Sequence, residues 1–167
     1  MIFILKYAIL HLYKGSIYMN ELKITESFIV EKIKEFLINN SDWCKENIVT
    51  SSLHGHGADL ILTKENNKEK FIIECKGKSY AKSHQSINKE GWLNALGQII
   101  TRMNKINVKG DTKIKYGLGL CSVSAIVALK RIPNKVAKTL NLYIFSCDDD
   151  GNIKMYTPHE IGKNLNK

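Results

Sequence analysis

The chain has 167 residues, 44% of them hydrophobic and 25% charged, and a formal net charge of +9. That length suits one domain with its own core, and the composition excludes a disordered, fibrous or disulfide-dense chain. The positive surplus favours a polyanionic partner, nucleic acid or an acidic membrane surface, unless the Lys excess only mirrors an A/T-rich gene.

Residues 1–13 are apolar except for Lys6 and His11. The stretch is too short to span a bilayer and lacks the basic start and cleavage site of a signal peptide. Lys14-Gly15-Ser16 can be encoded by a purine-rich string suited to a ribosome-binding site before Met19. Residues 1–18 therefore read as an apolar extension, a misannotated start in one reading and an interfacial segment in the other. Residues 19–167 read as a single domain with no transmembrane segment.

The spacing predicts a helix from Thr25, a candidate N-cap, through Phe28, Ile29, Ile33, Phe36 and Leu37 to Asn39-Asn40. Glu26 lies three, seven and eleven positions before Ile29, Ile33 and Leu37, on the apolar face, whereas Glu31 and Glu35 lie away from it. A Glu in the first turn is also expected from the helix dipole alone.

Strands are predicted over 47–51, 58–63 and 71–76. The last two are joined by a charged turn and read as a hairpin. Each carries ionisable residues where apolar ones belong: Asp59 in the first, Glu74 and Lys76 in the second. Charges on otherwise buried strands are costly unless paired or metal-bound. Alternation puts Glu74 and Lys76 on one face and Cys75 on the other, with Asp59 able to meet them across the hairpin. Two carboxylates and an ammonium suit magnesium-dependent phosphodiester hydrolysis. Asp59, Glu74 and the Cys75 carbonyl supply oxygen ligands, and Lys76 orients a water or holds the phosphate. A structural salt-bridge cluster is the alternative. His54 and His56 flank Gly55 and read as loop or phosphate contacts before metal ligands.

The ordered set, Gly57-Ala58-Asp59 with its apolar run, a turn, then a second apolar run ending Glu74-Cys75-Lys76-Gly77, resembles the core motif of the PD-(D/E)xK, or restriction-endonuclease-like, nuclease superfamily. Asp59 stands at the first acidic position, Glu74 and Lys76 at Glu-x-Lys, and Ala58 replaces the usual Pro. The element order matches from about residue 25 to 156, but the sharp motifs occupy only 57–77. The resemblance implies an α/β fold, a restriction-endonuclease-like core with a central mixed β-sheet flanked by helices. It also implies Mg2+-dependent endonuclease cleavage of DNA, with Mn2+ as a substitute ion. Glu26 would complete the metal set, with Glu31 as fallback. Two other readings stay open: a non-cleaving nucleic-acid-binding protein of this fold, and a nuclease for RNA or branched DNA. Cutting both strands needs two sites, so a homodimer is one expectation.

Beyond the motif, Lys78, Tyr80, Lys82 and their polar neighbours in a loop over 77–88 suit contacts to a nucleic-acid backbone. A helix over 89–107 has Trp92, Leu96, Ile99 and Met103 as its core stripe, with Ala95 and Ile100 beside it. Asn94, Gln98 and Arg102 share one face, and Arg102 is a further candidate nucleic-acid contact. Ala95-Leu96-Gly97-Gln98-Ile99 resembles the helix that follows Glu-x-Lys in several nuclease subfamilies. That gives Gln98 a catalytic, hydrogen-bonding role and lets Gly97 bring helix to sheet. A strand over 114–121, helical stretches over 122–140 broken by Pro133, a strand over 142–147, a turn at Asp148-Asp149-Asp150-Gly151 and a strand over 153–156 complete the chain. Lys130, Arg131, Lys135 and Lys138 form a basic patch or a solvated face. Four single cysteines, without zinc spacing, read as reduced thiols of a cytoplasmic protein.

Overall fold

The computed structural model describes residues 24–40, 43, 48–50, 58–64, 68–78, 85–103 and 112–163, with 48–50 and 85–87 in backbone only. Residues 1–18, His54, His56, Cys44, Tyr80 and Lys82 lie outside that set.

Helix α1 (Glu26–Asn40) is opened by Thr25, whose Oγ1 accepts the Phe28 N–H at 3.2 Å. This satisfies one of the amides that a helix start leaves without a partner. Strands β1 (Ile48–Thr50), β2 (Leu60–Thr63) and β3 (Glu69–Lys76) form an antiparallel meander. Helix α2 (Gln85–Met103) crosses to β4 (Lys113–Cys121), which runs parallel to β3. Helices α3 (Ser122–Arg131) and α4 (Asn134–Thr139), separated at Pro133, cross to β5 (Leu142–Cys147), parallel to β4. Strand β6 (Ile153–Tyr156) returns antiparallel through a turn in which Asp148 Oδ1 accepts the Asp150 and Asn152 N–H groups. The product is a six-stranded mixed sheet ordered β1-β2-β3-β4-β5-β6, an α/β architecture.

Burial explains the layers. Ile29 and Ile33 of α1 pack with Leu60, Phe71, Ile73, Cys75 and Phe145 on one face of the sheet. On the other face, Trp92, Ala95 and Ile99 of α2 and Ala125, Ala128 and Leu129 of α3 pack with Ile72, Leu118, Leu120 and Ile144. Strands covered on both faces must be apolar nearly throughout, so β3 is the strand on which a charge is least expected. Gly119 lets α1 come close: a Cβ there would lie 2.5 Å from Cys75 Sγ and 2.6 Å from Ile33 Cδ1.

Several boundaries differ from the periodicity reading. Strand β2 starts at Leu60, not 58, because the chain bends at Asp59. Helix α2 starts at Gln85, within the span expected to be loop, since its first turns carry polar residues that give no apolar signal. Ile100, expected beside the core stripe, is 50% exposed. Gly97 does not face the sheet: apart from its own helix backbone and chain neighbours, no atom of the described residues lies within 4 Å of a Cβ built there. Gly91 takes the close position, where a Cβ would meet Lys76 Cβ and Ser124 Oγ at 3.4 Å.

Candidate functional site

The site forms where β2 begins and β3 ends, beside the start of α1 and the face of α2 that carries Gln98 and Arg102. Leu60 pairs with Ile73 in the antiparallel register, so Asp59, one step further, falls beside Glu74. The Asp59 side chain continues the ladder where its backbone turns away: Oδ2 accepts the Cys75 N–H at 2.7 Å. Asp59 thus has a structural task, satisfying a strand amide, as well as a place next to a second carboxylate.

Glu74 has no exposed surface. Burial, and then the neighbouring Asp59 charge, push its pKa up to about 7; Arg102 and Lys76 act in the opposite direction. The Arg102 Nε forms an ion pair with Glu74 Oε1. Glu74 Oε2 has no hydrogen-bond partner among the described residues, nor has the buried Oε1 of Gln98, one turn before Arg102. A buried carboxylate oxygen without a donor is a costly arrangement in a folded protein.

Lys76, on the same face as Glu74, places Nζ 3.0 Å from Glu26 Oε2. Gly77 sets this meeting. A Cβ on Gly77 would lie 2.5 Å from the Glu26 amide nitrogen and 2.8 Å from the Ile24 carbonyl oxygen, while the Lys78 N–H donates to Ile24 O at 2.7 Å. The end of β3 is thereby clamped to the first turn of α1, and Glu26 reaches round the sheet end to Lys76. Outside this cluster, an open groove of about 480 Å³ is lined by Lys76, Leu93, Asn94, Gly97, Gln98 and Thr101.

No family model matches the chain, and no curated protein or solved structure matches it.

The structure therefore brings Asp59, Glu74, Lys76, Gln98 and Glu26 into one neighbourhood, but with partners the sequence did not disclose. Glu26, expected among the acids of a metal set, is held by Lys76 with 43% of its side chain exposed. Glu31, its fallback, points to solvent and pairs with Lys34 at 3.4 Å. Arg102, expected to meet nucleic acid, is turned inward onto Glu74. Lys78 pairs with Asp149 in the β5–β6 turn at 3.2 Å. The exposed amide of Asn94 and the hydroxyl of Thr101 were not singled out as site residues. Their spacing with Gln98, at four and three residues, was the signal that could have found them. Among the described residues, no three His, Cys, Asp or Glu side chains are grouped to hold an ion, so any ion here would rest on two carboxylates and otherwise on backbone oxygen and water.

Proposed function

We propose that the protein hydrolyses DNA phosphodiester bonds with Mg2+ as cofactor. One observation carries the reading: two carboxylates of adjacent strands, Asp59 and Glu74, adjoin at a buried strand end beside Lys76, and one Glu74 oxygen is left without a donor. The element order, helix, three-strand meander, helix and parallel strand, resembles that expected of a restriction-endonuclease-like core and supports the reading further.

The residues fit the ion. Mg2+ prefers oxygen ligands and retains several waters, so two carboxylates are an adequate protein contribution. Asp59 and Glu74 would hold it. The Cys75 carbonyl, which shares the edge of its own N–H in an antiparallel pair, is directed to the same side. When bound, the ion supplies Lewis-acid neutralisation of charge growing on the phosphate and lowers the pKa of a water. The remaining work falls to the chain. Lys76, steadied by Glu26, holds a phosphate oxygen or orients the attacking water. Arg102 favours the ionised form of Glu74 against its burial and directs the carboxylate. Gln98 offers an amide to the phosphate or water. The test is incubation with supercoiled, linear and single-stranded DNA and with RNA, in Mg2+, Mn2+ or EDTA. Metal-dependent DNA cleavage, lost in Lys76→Ala, is expected; absence of cleavage of every substrate defeats the reading.

A second reading has its own observation. Glu74 and Glu26 already possess cationic partners, Arg102 and Lys76, as a non-cleaving nucleic-acid-binding protein of this fold would require. Calorimetric titration with Mg2+ separates the two, since only the nuclease gives a binding heat that Asp59→Asn removes.

A further inference from the structure

The outer face of α2 carries a feature that neither packing among the described residues nor the metal chemistry uses. Gly97 sits in the interior of a nineteen-residue helix, where glycine weakens the helix relative to alanine. Apart from its own helix backbone and chain neighbours, no atom of the described residues would touch a Cβ there, so packing among those residues gives no reason for its bareness. Yet Gly97 lies in the wall of the groove that has Lys76 at one side. Around it stand Asn94 and Gln98, the Gln98 Oε1 being buried and without a partner among the described residues, and Leu93, 49% exposed. Among the described residues Lys76 is the groove's single cationic lining residue, and it is shared with Glu26. Such a lining is poorly suited to a second phosphate. Neutral amides, one apolar wall and uncovered backbone suit a flat polar group with an apolar face.

We propose that this groove seats the nucleoside adjoining the phosphate held at Lys76, with the backbone at Gly97 as the surface against which it lies and the Asn94 amide and the unpartnered Gln98 Oε1 meeting its polar edge, the Gln98 N–H groups being left to the phosphate or water. The inference rests on the nuclease reading and specifies where the DNA strand runs from the reacting centre: over α2. A Cβ at position 97 would occupy the space the nucleoside needs, which accounts for a glycine where helix propensity disfavours one.

The experiment compares Gly97→Ala and Gly97→Leu with the unaltered protein. It measures thermal melting, Mg2+ calorimetry and, with EDTA present, fluorescence anisotropy of labelled single-stranded DNA, duplex DNA and RNA of one sequence. Gly97→Ala is expected to melt higher yet bind DNA about tenfold more weakly, and Gly97→Leu about a hundredfold more weakly, with the Mg2+ heat of both variants unchanged. DNA affinity that persists in Gly97→Leu, or a lower melting temperature in Gly97→Ala, overturns the assignment. Loss confined to the RNA arm overturns DNA as the ligand. An unaltered protein that gives a Mg2+ heat but no DNA affinity overturns the subsite alone. One that gives neither removes the nuclease reading with it.

Discussion

The Arg102 guanidinium closes on the Glu74 carboxylate from the last turn of α2, joining a helix that faces the groove to a carboxylate with no exposed surface. Removing one member of a buried ion pair leaves the other uncompensated, whereas replacing both with apolar groups is far less costly. Arg102→Ala is therefore expected to lose about 3 kcal/mol of stability, and Arg102→Met with Glu74→Leu to lose less than the single change. Urea denaturation of the three proteins checks the order.

Stability should also depend on pH through Glu74. Its folded pKa is raised to about 7 from an ordinary 4.5. Between those values the folded chain binds more protons than the unfolded one, so stability falls as pH rises from about 4.5 to 7 and levels off above. The span corresponds to roughly 3 kcal/mol at most. Glu74→Gln should remove this slope. Asp59→Asn, which removes the neighbouring negative charge, should move its upper end to lower pH. Denaturant melts at a series of pH values read both effects.

Asp59 has two tasks that substitutions can separate. Asp59→Asn keeps an oxygen for the Cys75 N–H, which now lies at 2.7 Å, but gives up the charge that would face the cation. Asp59→Ala gives up both. Each should lower cleavage by about a hundredfold or more. The alanine variant should also lose about 1.5–3 kcal/mol of stability, the worth of one hydrogen bond to a charged acceptor, and the asparagine variant less. Cleavage rates and denaturation on the same preparations test the split.

Gly77→Ala is expected to act at a distance from any ionisable atom. Its Cβ would press on the backbone of residues 24–26, lifting the first turn of α1 and parting Glu26 from Lys76. A loss of about 1–3 kcal/mol should accompany a fall in cleavage at unchanged Mg2+ affinity, measured by melting, rate and calorimetry.

The architecture was legible because its signals are periodic. The stripe from Phe28 to Leu37, the uninterrupted runs of β3 and β5, and Pro133 between two helices each follow from local rules. Helix α2 hid its beginning because Gln85, Ser86 and Asn88 offer no apolar repeat. At the site, the sequence placed Asp59, Glu74 and Lys76 at their strand ends, since alternation across a hairpin fixes which residues share a face. It did not disclose partners made by tertiary approach. Whether Arg102 turns outward to a polyanion or inward to Glu74 depends on where α2 docks, and Glu26 finds Lys76 only because Gly77 admits the helix. Gly97 was read as a packing glycine, since glycine in a helix serves a close neighbour or an open space alike, and spacing does not distinguish them.

Cys75 has its amide on Asp59 and its sulfur in the space over Gly119, beneath α1. The backbone of one residue steadies an acid while its side chain measures the gap between helix and sheet. Any change in bulk at position 75, or at Gly119 opposite, would be transmitted to the carboxylate across the strand. A buried thiol, its pKa raised by that burial, thereby sets the tolerance to which the two carboxylates are held.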